Sequence, residues 1–179
     1  MNKFWEEQMN HKRTKGYYES LKKLITNLQI KGDVLEIGLD VGISARAFLE
    51  CPDIKLTSVD PGIVDIGQRE ITLMCVGDRW KFQPMKSDDY FNECKREFDA
   101  IYIDGDHSYE QCLRDIYNAW KFLKPGGLLI GHDIIHKGNF IPNNDCGVAQ
   151  AFAEYIYEFD LTATIYPPYP GLMVIRKEK

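Results

Sequence analysis

The sequence lacks three features that would indicate where the protein is located or what chemistry its cysteines perform. No apolar run approaches the roughly 20 residues that a membrane-spanning helix needs. The first residues, MNKFWEEQMNHKR, contain no uninterrupted apolar core of the kind found in a secretory signal peptide. The five cysteines include no CxxC pair, the usual mark of a redox or zinc motif. We therefore expect a cytoplasmic protein with reduced cysteines and no membrane partner.

An excess of basic charge is also absent. The chain carries 22 Lys and Arg against 27 Asp and Glu, a formal net charge of -5 at pH 7. Because nucleic-acid binding rests mainly on positive charge, nucleic acid is a disfavoured partner, although residues 11–15 contain a small basic group. With 179 residues and 44% hydrophobic composition, the chain suits one domain with a sizeable core.

Segments typical of strands alternate with segments typical of helices along the whole chain. The predicted strands are KGDVLEIG, KLTSVD, WKFQ, FDAIYI, LLIGHD, TATIYP and GLMVIRK. Such alternation predicts an α/β fold, a Rossmann-like doubly wound sheet of seven mostly parallel strands with helices on both faces. The last two strands are joined by the short segment PPYPG, which favours one antiparallel strand.

The segment FDAIYIDGDHSYEQCLRDI passes from an apolar strand to a helix through two aspartates and a histidine. The helix has an apolar stripe that includes Cys112 and Ile116. Ser108 and Gln111, three residues apart, predict a capping box at its start.

Polar residues and glycines follow the first five predicted strands. In a doubly wound sheet, ligands bind beyond the carboxyl ends of the strands, so these positions are candidates for a site. They are Glu36, Gly38, Gly42 and Ser44 after the first strand, Asp60 after the second, Ser87 and Asp88 after the third, Asp104 and His107 after the fourth, and His132 and Asp133 after the fifth.

Some of these residues have simple structural explanations. The two glycines suit ordinary turns, Asp60 before Pro61 suits a turn start, and Ser87 suits a helix N-cap. Three ionisable groups at the ends of two neighbouring strands would be costly in a purely structural role. Asp104, His107 and Asp133 are therefore the strongest functional candidates.

Together, VLEIGLDVGIS, SVD, KSDDYF, IDGDHSYE and GGLLIGHD resemble the class I S-adenosylmethionine-dependent methyltransferases. More narrowly, they resemble the small-molecule O-methyltransferases that act on catechols and macrolide sugars. The resemblance extends from about Tyr18 to Arg176, and its most specific part is IDGDHSYE followed by GGLLIGHD.

The resemblance implies S-adenosylmethionine as cofactor and a hydroxylated small molecule as acceptor. Glu36, Gly38 and Gly42 would form the loop under the methionine part of the cofactor, with Ser44 near its carboxylate. Asp60 would hold the ribose, Ser87 and Asp88 would flank the adenine, and Asp104 would also touch the cofactor. Asp104, His132 and Asp133 would hold a divalent metal, magnesium or manganese, and His107 would be the general base acting with Asp104.

The sequence departs from the family pattern at two positions. Metal-dependent members usually have a carboxylate at position 132, and a histidine there suits manganese, iron or zinc better than magnesium, or the absence of a metal. Asp40 replaces a glycine that is common in the first loop. A lid would come from residues 1–16, ahead of a Rossmann-like core at residues 17–179, and from the loop between His136 and Gly147. Phe140, Trp5, Tyr17 and Tyr169 are candidates for an aromatic acceptor site.

Other functions stay open at this point. A nicotinamide-dependent oxidoreductase would share the glycine loop and the acid after the second strand, but EIGLDVG lacks the GxGxxG spacing. A metal-dependent phosphohydrolase would use the histidines with Asp133, although such pairs usually lie on helices. A catalytically silent, methyltransferase-like binding module would keep the fold without turnover. A homodimer is also possible, and the sequence does not identify the acceptor.

Overall fold

The computed structural model describes residues 3–62, 65–134, 147–167 and 171–178. Within these ranges, the helices are α1 (Lys3–Asn10), α2 (Lys12–Asn27), α3 (Ile43–Leu49), α4 (Asp65–Leu73), α5 (Ser87–Glu93), α6 (Tyr109–Phe122) and α7 (Val148–Glu158). The strands are β1 (Gly32–Ile37), β2 (Ile54–Val59), β3 (Trp80–Gln83), β4 (Phe98–Ile103), β5 (Leu123–Gly131), β6 (Ala163–Tyr166) and β7 (Leu172–Arg176). None of the described helices is long and apolar enough to cross a bilayer.

The seven strands form one sheet in the order β3-β2-β1-β4-β5-β7-β6. The pairs among β1 to β5 are all parallel, whereas β7 is antiparallel to both β5 and β6. The strand order reverses between β1 and β4, and a doubly wound sheet binds its ligand at such a reversal. The predicted α/β fold with seven strands and one antiparallel strand is confirmed.

Apolar side chains cover both faces of the sheet, and its central strands β1 and β4 are buried. On β4, Tyr102 belongs to the apolar cluster shared with α2 and α3. Its neighbour Ile101 belongs to the cluster on the opposite face, shared with α6 and α7. Successive side chains of a strand point to opposite faces, so the two clusters make a three-layer arrangement with the sheet in the middle.

The N-terminal helices pack onto this arrangement. Trp5 of α1 is 2% exposed, and its ring lies 4.4 Å from the Arg46 guanidinium of α3 and 6.0 Å from the Tyr18 ring. Trp5 therefore packs between α3 and the Tyr18 ring. The proposed second lid segment, Phe140 and Tyr169 lie outside the described residues, apart from Gly147 at the segment's end.

Two local predictions differ from the structure. Helix α6 begins where expected, but within the described chain Ser108 makes no side-chain cap hydrogen bond. Its backbone N–H instead donates to Asp106 Oδ1 over 2.8 Å. The predicted capping box is therefore wrong, because Gln111 turns inward to Ser87 and Asp115. The predicted strand LLIGHD starts too late in the sequence, since β5 already begins at Leu123.

Candidate active site

The loops that follow β1 and β4 touch at the centre of the sheet. The Asp104 N–H donates to the Ile37 carbonyl over 2.9 Å. Gly38 has φ +94°, and a Cβ at this position would lie 2.1 Å from the Asp104 carbonyl oxygen. Only glycine combines this backbone conformation with so close an approach. Gly38 therefore allows Asp104 to lie directly beside the first loop.

The carboxylate of Asp60, just after β2, holds the first loop in place. Its Oδ2 accepts hydrogen bonds from the N–H groups of Leu39 at 2.9 Å and Asp40 at 3.3 Å, and its Oδ1 accepts one from Gly62 at 2.7 Å. Asp40 has φ +42°, a left-handed conformation that aspartate tolerates better than most residues. The loop thus turns with Asp40 where a glycine was expected, and Gly42 at φ +82° leads into α3.

Two cavities, each of about 410 Å³, open at the carboxyl ends of the strands. The first cavity is bounded by β1, β2 and α6, and its lining includes Asp60, Ser87, Gln111 and Asp115. The second lies under α1 and α2, and its lining includes Gln8, Tyr17, Ser44, His107, His132 and Asp133. Gly38, Asp40 and Asp104 line both. The two cavities therefore meet beside Asp104.

Two carboxylates and two imidazoles gather at this junction. The His107 Nε2 lies 3.5 Å from Asp104 Oδ1 and 3.4 Å from Asp133 Oδ2. The His132 Nδ1 lies 2.8 Å from the same Asp104 oxygen and 3.4 Å from Asp133 Oδ2. One possible ligand atom from each of Asp104, His107 and Asp133 falls within 4.8 Å of the others. Asp133 has a left-handed backbone conformation, with φ +53°.

The charges in this group stabilise one another. Burial alone would raise the pKa of Asp104, but His132 and His107 outweigh burial and hold that pKa well below its usual range. Burial would lower the pKa of His132, whereas Asp104 and Asp133 raise it to about 10. A hydrogen bond with Asp104 raises the pKa of the more exposed His107. Asp104 and His132 therefore form a charged pair near pH 7.

Two tyrosines connect the group to helix α2. The Tyr17 hydroxyl lies 2.5 Å from the Tyr102 hydroxyl, which donates to Asp104 Oδ2 over 3.2 Å. The Tyr17 ring also lies 4.3 Å from the His132 ring. Tyr17 therefore lines the second cavity beside the charged group.

A family model described as a methyltransferase domain matches residues 35–134, more than half of the chain. The chain belongs to this methyltransferase-domain family. The matched range contains the glycine loop, Asp60 and the whole charged group. The resemblance to methyltransferases that the sequence motifs carry is thereby confirmed, whereas a comparison with curated proteins gave no match.

Solved structures show the same fold at low identity. An O-methyltransferase from Bacillus cereus, solved with SAH, has TM-score 0.74 and 20% identity over 91% of this chain and 81% of that one. An O-methyltransferase from Streptomyces achromogenes involved in tomaymycin synthesis, solved with SAM, has TM-score 0.72 and 16% identity over 92% and 80%. An rRNA methylase from Streptococcus thermophilus has TM-score 0.66 and 14% identity over 91% and 95%. These similarities establish the fold and leave the acceptor open.

Most residues that the sequence singled out lie around the two cavities of the methyltransferase. Gly38, Asp60, Ser87 and Asp104 line the first cavity, and Ser44, His107, His132 and Asp133 line the second. Gly42 is the N-cap residue of α3, where its backbone is left-handed. Asp88 is outside the lining of both cavities and lies 3.6 Å from Arg114. The ligand roles of these residues stay predictions.

Glu36 lies beneath the first loop and is fully buried. Its Oε2 accepts a hydrogen bond from the Ser58 hydroxyl over 2.5 Å. Burial raises the pKa of Glu36 to about 8, although hydrogen bonds from Ser44 and Ser58 oppose the shift. Glu36 is therefore mostly neutral near pH 7, and its structural neighbours include the predicted cofactor residue Ser44.

The sequence reading missed Asp115 and Gln111, which both line the first cavity. The four buried positions of α6 are Cys112, Asp115, Ile116 and Ala119. Their spacing is that of the inward face of a helix. A charged residue at one of these positions can be recognised in the sequence, and it indicates a candidate site residue. An acid in the apolar stripe of a helix is costly unless it has a partner or a function.

Proposed function

We propose that this methyltransferase transfers the methyl group of S-adenosylmethionine to a hydroxyl oxygen of a small molecule. The observation that carries the proposal is the junction of the two cavities, where His107 lies between two carboxylates. One cavity has the size and polar lining for the cofactor, and the other has room for an acceptor above the same junction. The solved relatives that carry SAH or SAM and are named O-methyltransferases support this choice.

The cofactor would occupy the first cavity and extend towards the second. Asp60 accepts three hydrogen bonds, and a carboxylate has about four lone-pair sites, so one site remains to accept a hydrogen bond from a ribose hydroxyl. The methionine part would cross the glycine loop, where Gly38 leaves space and Ser44 lies near the α3 N-terminus. The sulfonium methyl would then face the second cavity beside Asp104, whose negative charge complements the positive sulfur.

The reaction needs alignment and the removal of one proton. The acceptor oxygen attacks the methyl carbon, a C–O bond forms, and the S–C bond breaks with its electron pair remaining on sulfur. The hydroxyl proton passes to His107 Nε2. Asp104 Oδ1 and Asp133 Oδ2 lie within 3.5 Å of that nitrogen, so both carboxylates stabilise the resulting imidazolium. Because the base must be neutral, the rate should rise with pH through the raised pKa of His107.

A divalent metal fits the same group. Asp104, His107 and Asp133 offer one ligand atom each within 4.8 Å, and His132 Nδ1 borders two of the same oxygens. A mixed imidazole and carboxylate set suits manganese, iron or zinc better than magnesium, which prefers oxygen ligands. When bound through His107, a metal would take the place of His107 as the group that promotes proton loss, because it would acidify an acceptor hydroxyl or a vicinal diol. In that state the two carboxylates would orient the acceptor through the ion.

The second cavity suggests a small acceptor. Its lining from the first two helices consists of the polar or charged side chains of Gln8, Arg13 and Thr14 together with Tyr17. Hydroxyl and amide groups around an aromatic ring suit a hydroxylated sugar or phenol better than an apolar ligand. The cavity volume of about 410 Å³ admits one such molecule beside the methionine end of the cofactor.

The decisive experiment combines cofactor binding with turnover. Calorimetry on metal-free protein should show micromolar or tighter binding of S-adenosylhomocysteine. Hydroxylated sugars, phenols and catechols are then screened with labelled S-adenosylmethionine, with and without manganese. His107→Gln should lower kcat by about 100- to 10,000-fold on an acceptor found in this way, because proton removal is lost. Its cofactor affinity should remain close to that of the wild type.

The exposed residue His11, at the start of α2, provides the matched control, and His11→Gln should keep the wild-type kcat. Wild-type kcat in His107→Gln would remove the assignment of the base. Absence of S-adenosylhomocysteine binding by folded protein would remove the proposed function, and tight binding of a nicotinamide dinucleotide would replace it with an oxidoreductase.

A further inference from the structure

Helix α6 carries a buried carboxylate that the proposed chemistry does not use. Asp115 is 1% exposed and lines the first cavity. Its Oδ1 accepts a hydrogen bond from Gln111 Nε2 over 3.1 Å. Its Oδ2 is buried and has no hydrogen-bond partner within the described ranges of the chain. A buried acceptor left without a partner costs free energy, so a ligand that supplies a donor would recover that cost.

The neighbours of Asp115 fix which of its oxygens is available. Arg114 Nη2 donates to Gln111 Oε1 over 2.5 Å. The amide nitrogen of Gln111 must therefore point the other way, towards Asp115 Oδ1 and the Ser87 hydroxyl at 3.3 Å. Gln111 thus occupies one carboxylate oxygen of Asp115 and leaves the other for a ligand.

The ionisation of Asp115 determines the kind of partner it needs. Burial raises the pKa of this carboxyl to about 6, partly opposed by Ser87 and Gln111. Near pH 7.5 the group is therefore mostly ionised, and an ionised carboxylate only accepts hydrogen bonds. A matching ligand must present an N–H or O–H group.

The position of Asp115 indicates which part of the cofactor lies beside it. Gly38, Asp40 and Asp104 line both cavities and mark the side where the methionine part would pass. Asp115 and Ser87 line the first cavity and are not among the lining residues of the second. In a nucleoside cofactor whose ribose lies at Asp60, the part that remains for Asp115 and Ser87 is the base.

We propose that Asp115 determines the nucleobase specificity of the methyltransferase by accepting a hydrogen bond from the exocyclic amino group of adenine. This inference rests on the proposed function, because it requires an adenosine cofactor in the first cavity. A hypoxanthine base has an oxo group at the same position, which is an acceptor. Asp115 would then face it with a second acceptor, and binding would weaken.

The first test uses the wild-type protein. Calorimetry compares S-adenosylhomocysteine with S-inosylhomocysteine, in which an oxo group replaces the amino group and the neighbouring ring nitrogen N1 carries a hydrogen. We expect the inosine compound to bind about 10- to 100-fold more weakly, the range for one hydrogen bond to a charged group. Equal affinities would overturn the role of Asp115 and leave the proposed function intact. Binding of neither compound would overturn both.

The second test changes the acceptor into a donor. In Asp115→Asn, Gln111 should still donate to the side-chain carbonyl oxygen, so the new NH₂ group should take the position of the unpartnered Oδ2. It should repel the adenine amino group and donate to the hypoxanthine oxo group, so the preference for adenosine should fall to about unity or reverse. Asp89→Asn, on the exposed side of α5, is the matched control and should keep the wild-type preference. An unchanged preference in folded Asp115→Asn would contradict the proposal.

Discussion

Replacing Gly38 with alanine tests the contact between the first loop and the Asp104 backbone. The Cβ of the introduced alanine would lie 2.1 Å from the Asp104 carbonyl oxygen and 2.7 Å from its carbonyl carbon. Both atoms belong to the backbone, so no side-chain rotation can relieve the clash. The ends of β1 and β4 would have to separate by about 1 Å or more to restore van der Waals contact.

The expected cost has three parts. Alanine at φ +94° adopts a left-handed backbone, which costs about 1–2 kcal/mol. Separation of the strand ends weakens the 2.9 Å hydrogen bond from Asp104 to Ile37, a loss of about 1 kcal/mol. Residual overpacking adds about 1 kcal/mol or more. The free energy of unfolding should therefore fall by about 3–5 kcal/mol, and the melting temperature by about 10 °C in a chain of this size.

Gly126→Ala isolates the backbone part of this cost. Gly126 has φ +80°, and a Cβ there meets no described atom within 4 Å. This variant should lose only about 1–2 kcal/mol. Urea unfolding of the wild type and both variants, followed by circular dichroism, measures the difference. Equal destabilisation of Gly38→Ala and Gly126→Ala, within about 0.5 kcal/mol, would show that the close approach at Asp104 does not constrain the site.

Two further predictions concern protonation and metal binding. The pKa of Glu36 is raised to about 8, so folding favours its protonated form, and stability is lost as pH rises from about 4.5 through 8. Relative to the wild type, Glu36→Gln should gain up to about 1.4 kcal/mol per pH unit in that range, measured by urea unfolding at pH 5 to 8. A pH-independent difference would show that Glu36 is ionised in the fold. Asp133→Asn should weaken manganese binding at least tenfold by calorimetry, whereas Asp106→Asn should not. Equal affinities would exclude Asp133 as a ligand.

The fold could be predicted from the sequence to the level of element type and order. The short strand β3 matches the predicted segment WKFQ, and β7 is the antiparallel strand. These features depend on the local spacing of hydrophobic residues and on the short connection before the last strand. Both can be read directly from the sequence. The start of β5 at Leu123 was missed, because pairing with Phe98 extends the strand through two glycines.

The site residues that lie directly after a strand could be predicted from the sequence. Asp104, His107, His132 and Asp133 come together because β4 and β5 are neighbours and end at the same edge of the sheet. The capping box at Ser108 failed for a tertiary reason, since Gln111 hydrogen-bonds to Ser87 and Asp115. A local motif cannot reveal that its side chain has a better partner elsewhere in the fold.

The sequence by itself determined the layers of the molecule and the order of its polar strand ends, because hydrophobic period and turn chemistry are local properties. Tertiary structure alone decided which atoms of those residues meet. It placed His107 Nε2 between two carboxylates, put Tyr17 over His132, and left one buried oxygen of Asp115 without a hydrogen-bond partner among the described residues. These outcomes depend on the packing of α2 and α6 against strands that are distant in sequence, where differences of an ångström determine which hydrogen bonds form.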